Sequence, residues 1–241
     1  MPIGMEKLRS PDPVLSWASR IRDEPSRITR FQTVRRTLVS PIKSFLNKMK
    51  YGDPVIIVSG LPRSGTSMAM KMLEAGGSKI VQDGIREADV DNPKGYYEFE
   101  RVKDLDKGGD NSWVSEHRGQ TVKIISFLLR HLPHDNRYKI IFMRRDIDEI
   151  LASQNKMLDH RSEESKTEDE RMKDLYANHL VQVFSMMRFR ENFECLEISY
   201  NDTIADPQAS AEKINAFLGN PFEIADMVGI VDKSLYRNRR A

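Results

Sequence analysis

The eight residues Gly60–Ser67, GLPRSGTS, constrain this chain more than any other segment. They follow Pro54–Ser59 (PVIIVS), a short apolar run rich in β-branched residues, which reads as a strand buried on both faces. They lead into Thr66–Ala75, whose Ala69, Met72 and Leu73 share one helical face and which Gly76–Gly77 stop. A turn between a buried strand and a helix lies at the strand's carboxyl end, the edge of an α/β sheet where ligands bind.

Downstream, strand and helix patterns alternate. Thr121–Ile125, Tyr138–Met143 and Cys195–Ser199 read as three further strands. Helices are expected from Ile147 to about Leu158, from Thr167 to about Asn192, and from Pro207 to Leu218. Asp146 with Glu149, and Thr167 with Glu170, have the spacing of capping boxes. The long helix carries Leu175, Leu180, Phe184 and Met187 as its apolar stripe, and Pro207 suits a first helical position. Such alternation predicts a three-layer α/β domain over residues 51–241, with a central, mainly parallel sheet flanked by helices.

Residues 1–50 read as a basic, helical N-terminal extension. Ser26–Lys50 carries seven Lys or Arg residues and no acid, with Phe31, Val34, Leu38, Ile42, Phe45 and Met49 at helical spacings broken near Pro41. Three uses fit this stretch: a helix packed across the main domain, peripheral contact with an anionic membrane, or a homodimer contact. The net charge of +2 over 241 residues is too mild for nucleic acid to be the partner. A single cysteine, Cys195, permits no internal disulfide and fits a reducing compartment; it reads as a buried, inert thiol. No run approaches the roughly 18 apolar residues of a membrane span, and no secretion-signal layout opens the chain, so a cytoplasmic location is expected. His117, His131, His134, His160 and His179 form no metal-ligand spacing, and no metal is expected.

The loop has the parts of an anion cradle. Gly60 and Gly65 let the backbone curl so that N–H groups point inward, and the helix start adds further donors. Arg63 supplies a charge, and Thr66 and Ser67 supply hydroxyls. The glycine spacing matches the nucleoside triphosphate loop GxxxxGK[ST], but Thr66 stands where that loop's lysine serves the terminal phosphates. An earlier arginine and no lysine point to a shorter anion.

Pro62, Arg63, Ser64, Gly65, Thr66 and Ser67 resemble, position for position, the P-[KR]-S-G-T-[ST] loop of the sulfotransferase family. The resemblance implies a P-loop-like fold and binding of the 5′-phosphosulfate of 3′-phosphoadenosine-5′-phosphosulfate (PAPS), with adenosine 3′,5′-bisphosphate as product. It implies that Arg145 and Ser153, eight residues apart, hold the 3′-phosphate, where a guanidinium fork and a hydroxyl suit phosphate oxygens. Arg144 should face the opposite side of its strand. Tyr200, ahead of Asp206–Pro207, stands either at the adenine or at the core rim. The tail LYRNRR offers Arg237, with Arg239 and Arg240, either as a cover for the 3′-phosphate or as a solvated end.

Many relatives place a histidine two residues after a strand lysine. Here Lys123 is present, but Ile125 occupies the histidine position. In DNPKGYYE, the segment Asp91–Glu98, Glu98 is the candidate base, beside Tyr96 and Tyr97 that could raise its pKa; Glu100 and His117 are rivals. Lys123 and Arg63 would then stabilise the transferring group, and a structural role for Glu98 or Lys123 stays open. The acceptor is expected to be a small molecule or glycan bearing a hydroxyl or amine. Two alternatives remain: a P-loop kinase or triphosphatase, and a non-catalytic nucleotide-binding scaffold.

Overall fold

The computed structural model describes residues 41–84, 97–160 and 168–232, all within the compact unit Gln32–Ala241. Helix α1 (Pro41–Tyr51) precedes the sheet. Strand β1 (Val55–Gly60) is buried along its whole length. It is flanked by β3 (Thr121–Lys123) and β4 (Tyr138–Arg144), with β2 (Ile80–Val81) and β5 (Phe193–Ser199) at the edges, in the order β2-β3-β1-β4-β5. Every pairing is parallel. All five carboxyl ends therefore meet at one edge. The glycine-rich turn emerges from the middle of that edge and runs into α2 (Thr66–Ala75).

Alternation along the strands sorts the side chains into two layers. Ile56 and Val58 of β1, Ile141 and Met143 of β4, and Leu196 and Ile198 of β5 face α2, α6 (Pro207–Leu218) and α7 (Ile224–Gly229). Ala69, Met72 and Leu73 of α2 are fully buried in that layer, as the helical spacing predicts, and Met70 joins them. On the opposite face Phe142 meets Phe184 of α4 (Asp169–Phe189), ring centroids 4.8 Å apart. Helix α3 (Ile147–His160) packs against α4, where Tyr176 donates to Gln154 at 2.9 Å. The three-layer, P-loop-like α/β fold expected from the strand–turn–helix pattern is thus present.

Several boundaries differ from the expected ones, each for a physical reason. The edge strand β2 is two residues long, too short to leave a periodic signal. Strand β3 stops at Lys123 because Ser126–His131 turns into a 3-10 helix. Strand β5 begins at Phe193, two residues early: Glu194 reads as a loop residue, yet it is only 6% exposed inside the strand. Arg137 at the start of β4 makes that possible, its guanidinium lying 2.6 Å from Glu194. Helix α5 (Tyr200–Ala205), capped by Ser199, occupies what reads as a loop.

Of the two expected capping boxes, the one within the described residues finds its acids with other partners. Asp146 accepts from the Asp148 N–H at 2.9 Å, but Glu149 is drawn away by Arg145 at 3.0 Å. Thr167 lies outside the described residues, and Glu168 is the cap position of α4. The buried stripe of α4 is Met172, Tyr176, Leu180, Val183 and Met187, with Leu175 and Phe184 at its half-buried margins. Cys195 is half-buried; burial, then the neighbouring Glu197 carboxylate, pushes its thiol pKa up, which fits an inert role.

The Arg137–Glu194 pair fastens β4 to β5 at the end of the sheet away from the glycine-rich turn, with both side chains about 95% buried (4% and 6% exposed). Removing one partner strands a buried charge. Glu194→Ala should therefore cost about 3–5 kcal/mol in urea unfolding; a loss below about 1 kcal/mol would show that the pair does not hold this end together.

Candidate functional site

Three residues with positive φ fall within six positions of the turn: Gly60 (154°), Arg63 (67°) and Gly65 (99°). They curl the backbone over the end of β1, the geometry that lines N–H groups around an anion. The left-handed Arg63 carries strain of order 1–3 kcal/mol. Gly60 and Gly65 are required by close approach as well as by φ. A Cβ on Gly60 would collide with Ser64 Oγ and lie 2.7 Å from the Met143 carbonyl, and one on Gly65 would overlap the Tyr200 ring.

Beneath the loop, Ser59 and Ser64 are 0% and 1% exposed, and neither hydroxyl has a hydrogen-bond partner among the described residues. Among the described residues no side chain caps the start of α2, whose cap position is Gly65. Buried hydroxyls and an uncapped helix start together fit a bound oxyanion. These residues suit a phosphate or phosphosulfate group.

Arg63 and Ser153, assigned from sequence to different ends of the donor, touch each other: Arg63 Nε donates to Ser153 Oγ at 3.1 Å. Arg145 closes the cluster. Its Nη1 donates to the Arg63 carbonyl at 3.2 Å, its Nε to Glu149 at 3.0 Å, and its guanidinium lies 4.5 Å from the centroid of the Tyr200 ring. Asn201 Nδ2 donates to the same Glu149 carboxylate at 3.2 Å. Burial pushes the Tyr200 hydroxyl up, opposed by the Arg145 and Arg63 cations. Tyr200 is thus both a rim residue of the core and the platform under Arg145. Glu149 and Asn201 went unnoticed as site residues; the acid at Arg145 plus four was the available signal. Arg144 faces the other layer, pairing with Glu197 at 3.2 Å over Phe184, on the side expected of it.

On the other flank, Lys123 ends β3 in register with Val58 of β1, just before the turn. Beyond it, the Asp83 N–H following β2 donates to the Glu98 carbonyl at 3.3 Å, which brings the half-buried Glu98 to the same carboxyl edge. Glu100 is committed otherwise: Lys103 lies 2.6 Å from its carboxylate. Tyr97 does not act as the expected shield for Glu98. It turns onto α2, its hydroxyl donating to Glu74 and its ring beneath Lys71, because a left-handed φ of 53° directs it there. His117 packs edge-on to Phe99 and Trp113. Asn92, Pro93, Gly95, Tyr96, Arg237, Arg239 and Arg240 lie outside the described residues.

One of the five histidines has a packing role that its place in the sequence does not indicate. His179 on α4 stacks on Phe127 at 3.7 Å and lies 2.8 Å from Ser126 Oγ, clasping the segment that follows Lys123. Only the fold brings it near. Burial, reinforced by Arg130, lowers its pKa from 6.5 to about 3. Among the described residues no group of three or more His, Cys, Asp or Glu side chains is placed to hold a metal ion.

The model of the Sulfotransferase family matches residues 96–224, more than half of the sequence. The chain belongs to the Sulfotransferase family. The matched segment takes in Glu98, Lys123, Arg145, Ser153 and Tyr200 and begins after the glycine-rich turn. No curated protein matches the sequence. Solved structures that resemble this sulfotransferase-family chain include two sulfotransferase domains. The sulfotransferase domain from the curacin biosynthetic pathway is 15% identical with a TM-score of 0.45, covering 75% of this chain and 78% of that one. The sulfotransferase domain from the Synechococcus PCC 7002 olefin synthase is 14% identical with a TM-score of 0.47, covering 78% and 89%.

Two outcomes are expected. Gly65→Ala forces a Cβ into Tyr200 at a left-handed φ, so it should lower stability by about 2 kcal/mol or more in urea unfolding; unchanged unfolding would contradict the close packing. Above pH 6.5, His179 is neutral in both folded and unfolded chains. As pH falls below that, the unfolded chain takes up a proton that folded His179 refuses until about pH 3. Its contribution is lost at about 1.4 kcal/mol per pH unit across that window. Between pH 6.5 and 5 the native chain should lose about 2 kcal/mol more than His179→Gln in urea unfolding, and identical losses would refute the clasp.

Proposed function

We propose that this chain transfers a sulfonate from PAPS to a hydroxyl or amine of a small-molecule acceptor. One observation carries the reading: five candidate groups stand at the carboxyl ends of five adjacent strands, in an order that matches the donor's length. Glu98 stands beside the end of β2, Lys123 ends β3, the anion cradle follows β1, Arg145 follows β4 and Tyr200 follows β5. Lys123 and Arg145 are two strand spacings apart, about 10 Å, the scale of a single nucleotide. The 5′ end of the donor then lies over Gly60–Ser67, its 3′-phosphate lies toward Arg145 and Ser153, and its sulfonate points toward Lys123.

The donor supplies an electrophilic sulfur in a phosphosulfate anhydride. Gly65, Thr66 and Ser67 present amides and hydroxyls to the 5′-phosphate at the start of α2. Arg145, held in place by Glu149 and by the Tyr200 ring, offers its guanidinium to the 3′-phosphate together with Ser153. Arg63 rests on Ser153 in the free protein, so binding exchanges that contact for one with the donor. Glu98 takes the acceptor's proton as its oxygen or nitrogen attacks sulfur. Lys123 and Arg63 neutralise the charge that grows on the bridging oxygen while the old S–O bond breaks. Glu98 thus takes the role that the histidine position, filled by Ile125, is unable to serve.

The test is transfer of radiosulfur from labelled PAPS to acceptors in a metabolite extract, alongside calorimetric binding of adenosine 3′,5′-bisphosphate. Glu98→Gln should lower transfer by about 10²–10⁴-fold and leave bisphosphate binding intact. Arg145→Ala should weaken bisphosphate binding by about 10-fold or more, having lost charge-assisted bonds. Undiminished bisphosphate binding by Arg63→Ala and Arg145→Ala together, or magnesium-dependent ATP turnover instead of transfer, would overturn the reading. Tight bisphosphate binding with no transfer to any acceptor would favour a scaffold.

A further inference from the structure

We infer that the Tyr97–Glu74 hydrogen bond positions Glu98, which makes Tyr97 and Glu74 positioning residues for the proton transfer. The inference rests on the function proposed above, which gives Glu98 its role as base. Among the described residues only Arg63, Tyr97 and Asn220 combine a side chain with a positive φ, at 67°, 53° and 61°. Asn220 follows Gly219 at the end of α6, where its N–H donates to the Asn215 carbonyl at 2.8 Å. That is an ordinary helix ending, which asparagine tolerates. Arg63 lies in the glycine-rich turn. Tyr97 directly precedes Glu98, and a bulky aromatic residue stays left-handed only where its surroundings hold it there.

Those surroundings are on α2. The Tyr97 ring packs against the core layer that α2 helps to form. The Lys71 ammonium lies 6.0 Å from the ring centroid, and the hydroxyl donates to Glu74 at the next turn of the helix. Burial, then the Glu74 carboxylate, pushes the phenol pKa up, so the hydroxyl stays a donor. Packing alone requires neither that hydroxyl nor the strained backbone; together they fix the direction in which the chain leaves Tyr97. The far side of Glu98 is held as well. Its carbonyl accepts from the Asp83 N–H at 3.3 Å, and the Asp83 carboxylate accepts from the Glu100 N–H at 2.6 Å. The Phe99 ring stands edge-on to the buried Trp113 at 5.3 Å. The main chain at Glu98 is thus tied to α2 on one side, and to Asp83 and Trp113 on the other. Helix α2 opens at the glycine-rich turn, so one rigid element carries both the candidate anion site and the anchor of the candidate base. A base has to meet its proton at hydrogen-bond distance, and a shift of about 1 Å in its carrier slows transfer without weakening donor binding.

The experiment measures radiosulfur transfer from saturating labelled PAPS into the metabolite extract, with calorimetric binding of adenosine 3′,5′-bisphosphate to the same proteins. Tyr97→Phe should lower transfer by about 10–100-fold while bisphosphate affinity stays at the native value. Glu74→Ala should reproduce that loss, and Glu74→Gln, which keeps an acceptor for the hydroxyl, should restore most of it. The deciding variant is Tyr97→Phe in a Glu98→Gln background. With no base left to position, the second change should cost less than about 2-fold further, since residues that act as one unit are not additive. A full further loss in that background shows a role that bypasses Glu98 and overturns the inference. Tyr97→Phe at the native rate beside a slow Glu98→Gln overturns the inference alone. Glu98→Gln at the native rate, or a native chain without transfer, overturns the proposed base and the inference with it.

Discussion

A guanidinium that is 7% exposed has to be paid for with partners, and Arg145 has them on three sides. Glu149 neutralises it, the Arg63 carbonyl accepts from it, and the Tyr200 ring lies under it. Those contacts bind the end of β4 to the glycine-rich turn, the first coil of α3 and the start of α5. Arg63, in turn, reaches Ser153 on α3. The glycine-rich turn and the Arg145–Ser153 side of the candidate site therefore form one hydrogen-bonded unit.

The sheet supplies the frame for that unit. Five parallel strands place their carboxyl ends side by side, and the layers of helices on the two faces leave that edge to carry polar chemistry. At the opposite end the buried Arg137–Glu194 pair and the Asn192–Asn136 hydrogen bond at 2.7 Å fix β4 against β5. The site's precision comes from rigid strands and one strained turn. Arg63 and Gly65 are both left-handed, and Gly65 leaves no room for a side chain against Tyr200.

Much of this was legible in the amino-acid order. Strands β1 and β4 and helices α2 and α6 were readable because their periods are strong and Gly76 and Pro207 punctuate them. The glycine-rich turn was readable because its parts are contiguous. What escaped was whatever depends on a distant partner. Glu194 belongs to a strand because Arg137, 57 positions away, neutralises its buried carboxylate. Glu149 abandons a capping role because Arg145 competes for it. Tyr97 turns onto Glu74 rather than toward Glu98, and His179 meets Ser126 across 53 residues. Two-residue β2 and six-residue α5 are held by neighbours rather than by any pattern of their own.

A crystal structure with adenosine 3′,5′-bisphosphate bound is the most direct measurement. The 5′-phosphate should lie over the Gly60–Ser67 amides, with the 3′-phosphate on Arg145 and Ser153 and the Arg63–Ser153 contact exchanged for one to the nucleotide. A nucleotide bound with its 3′-phosphate toward Lys123, or bound away from the carboxyl edge altogether, would contradict the polarity assigned to the site.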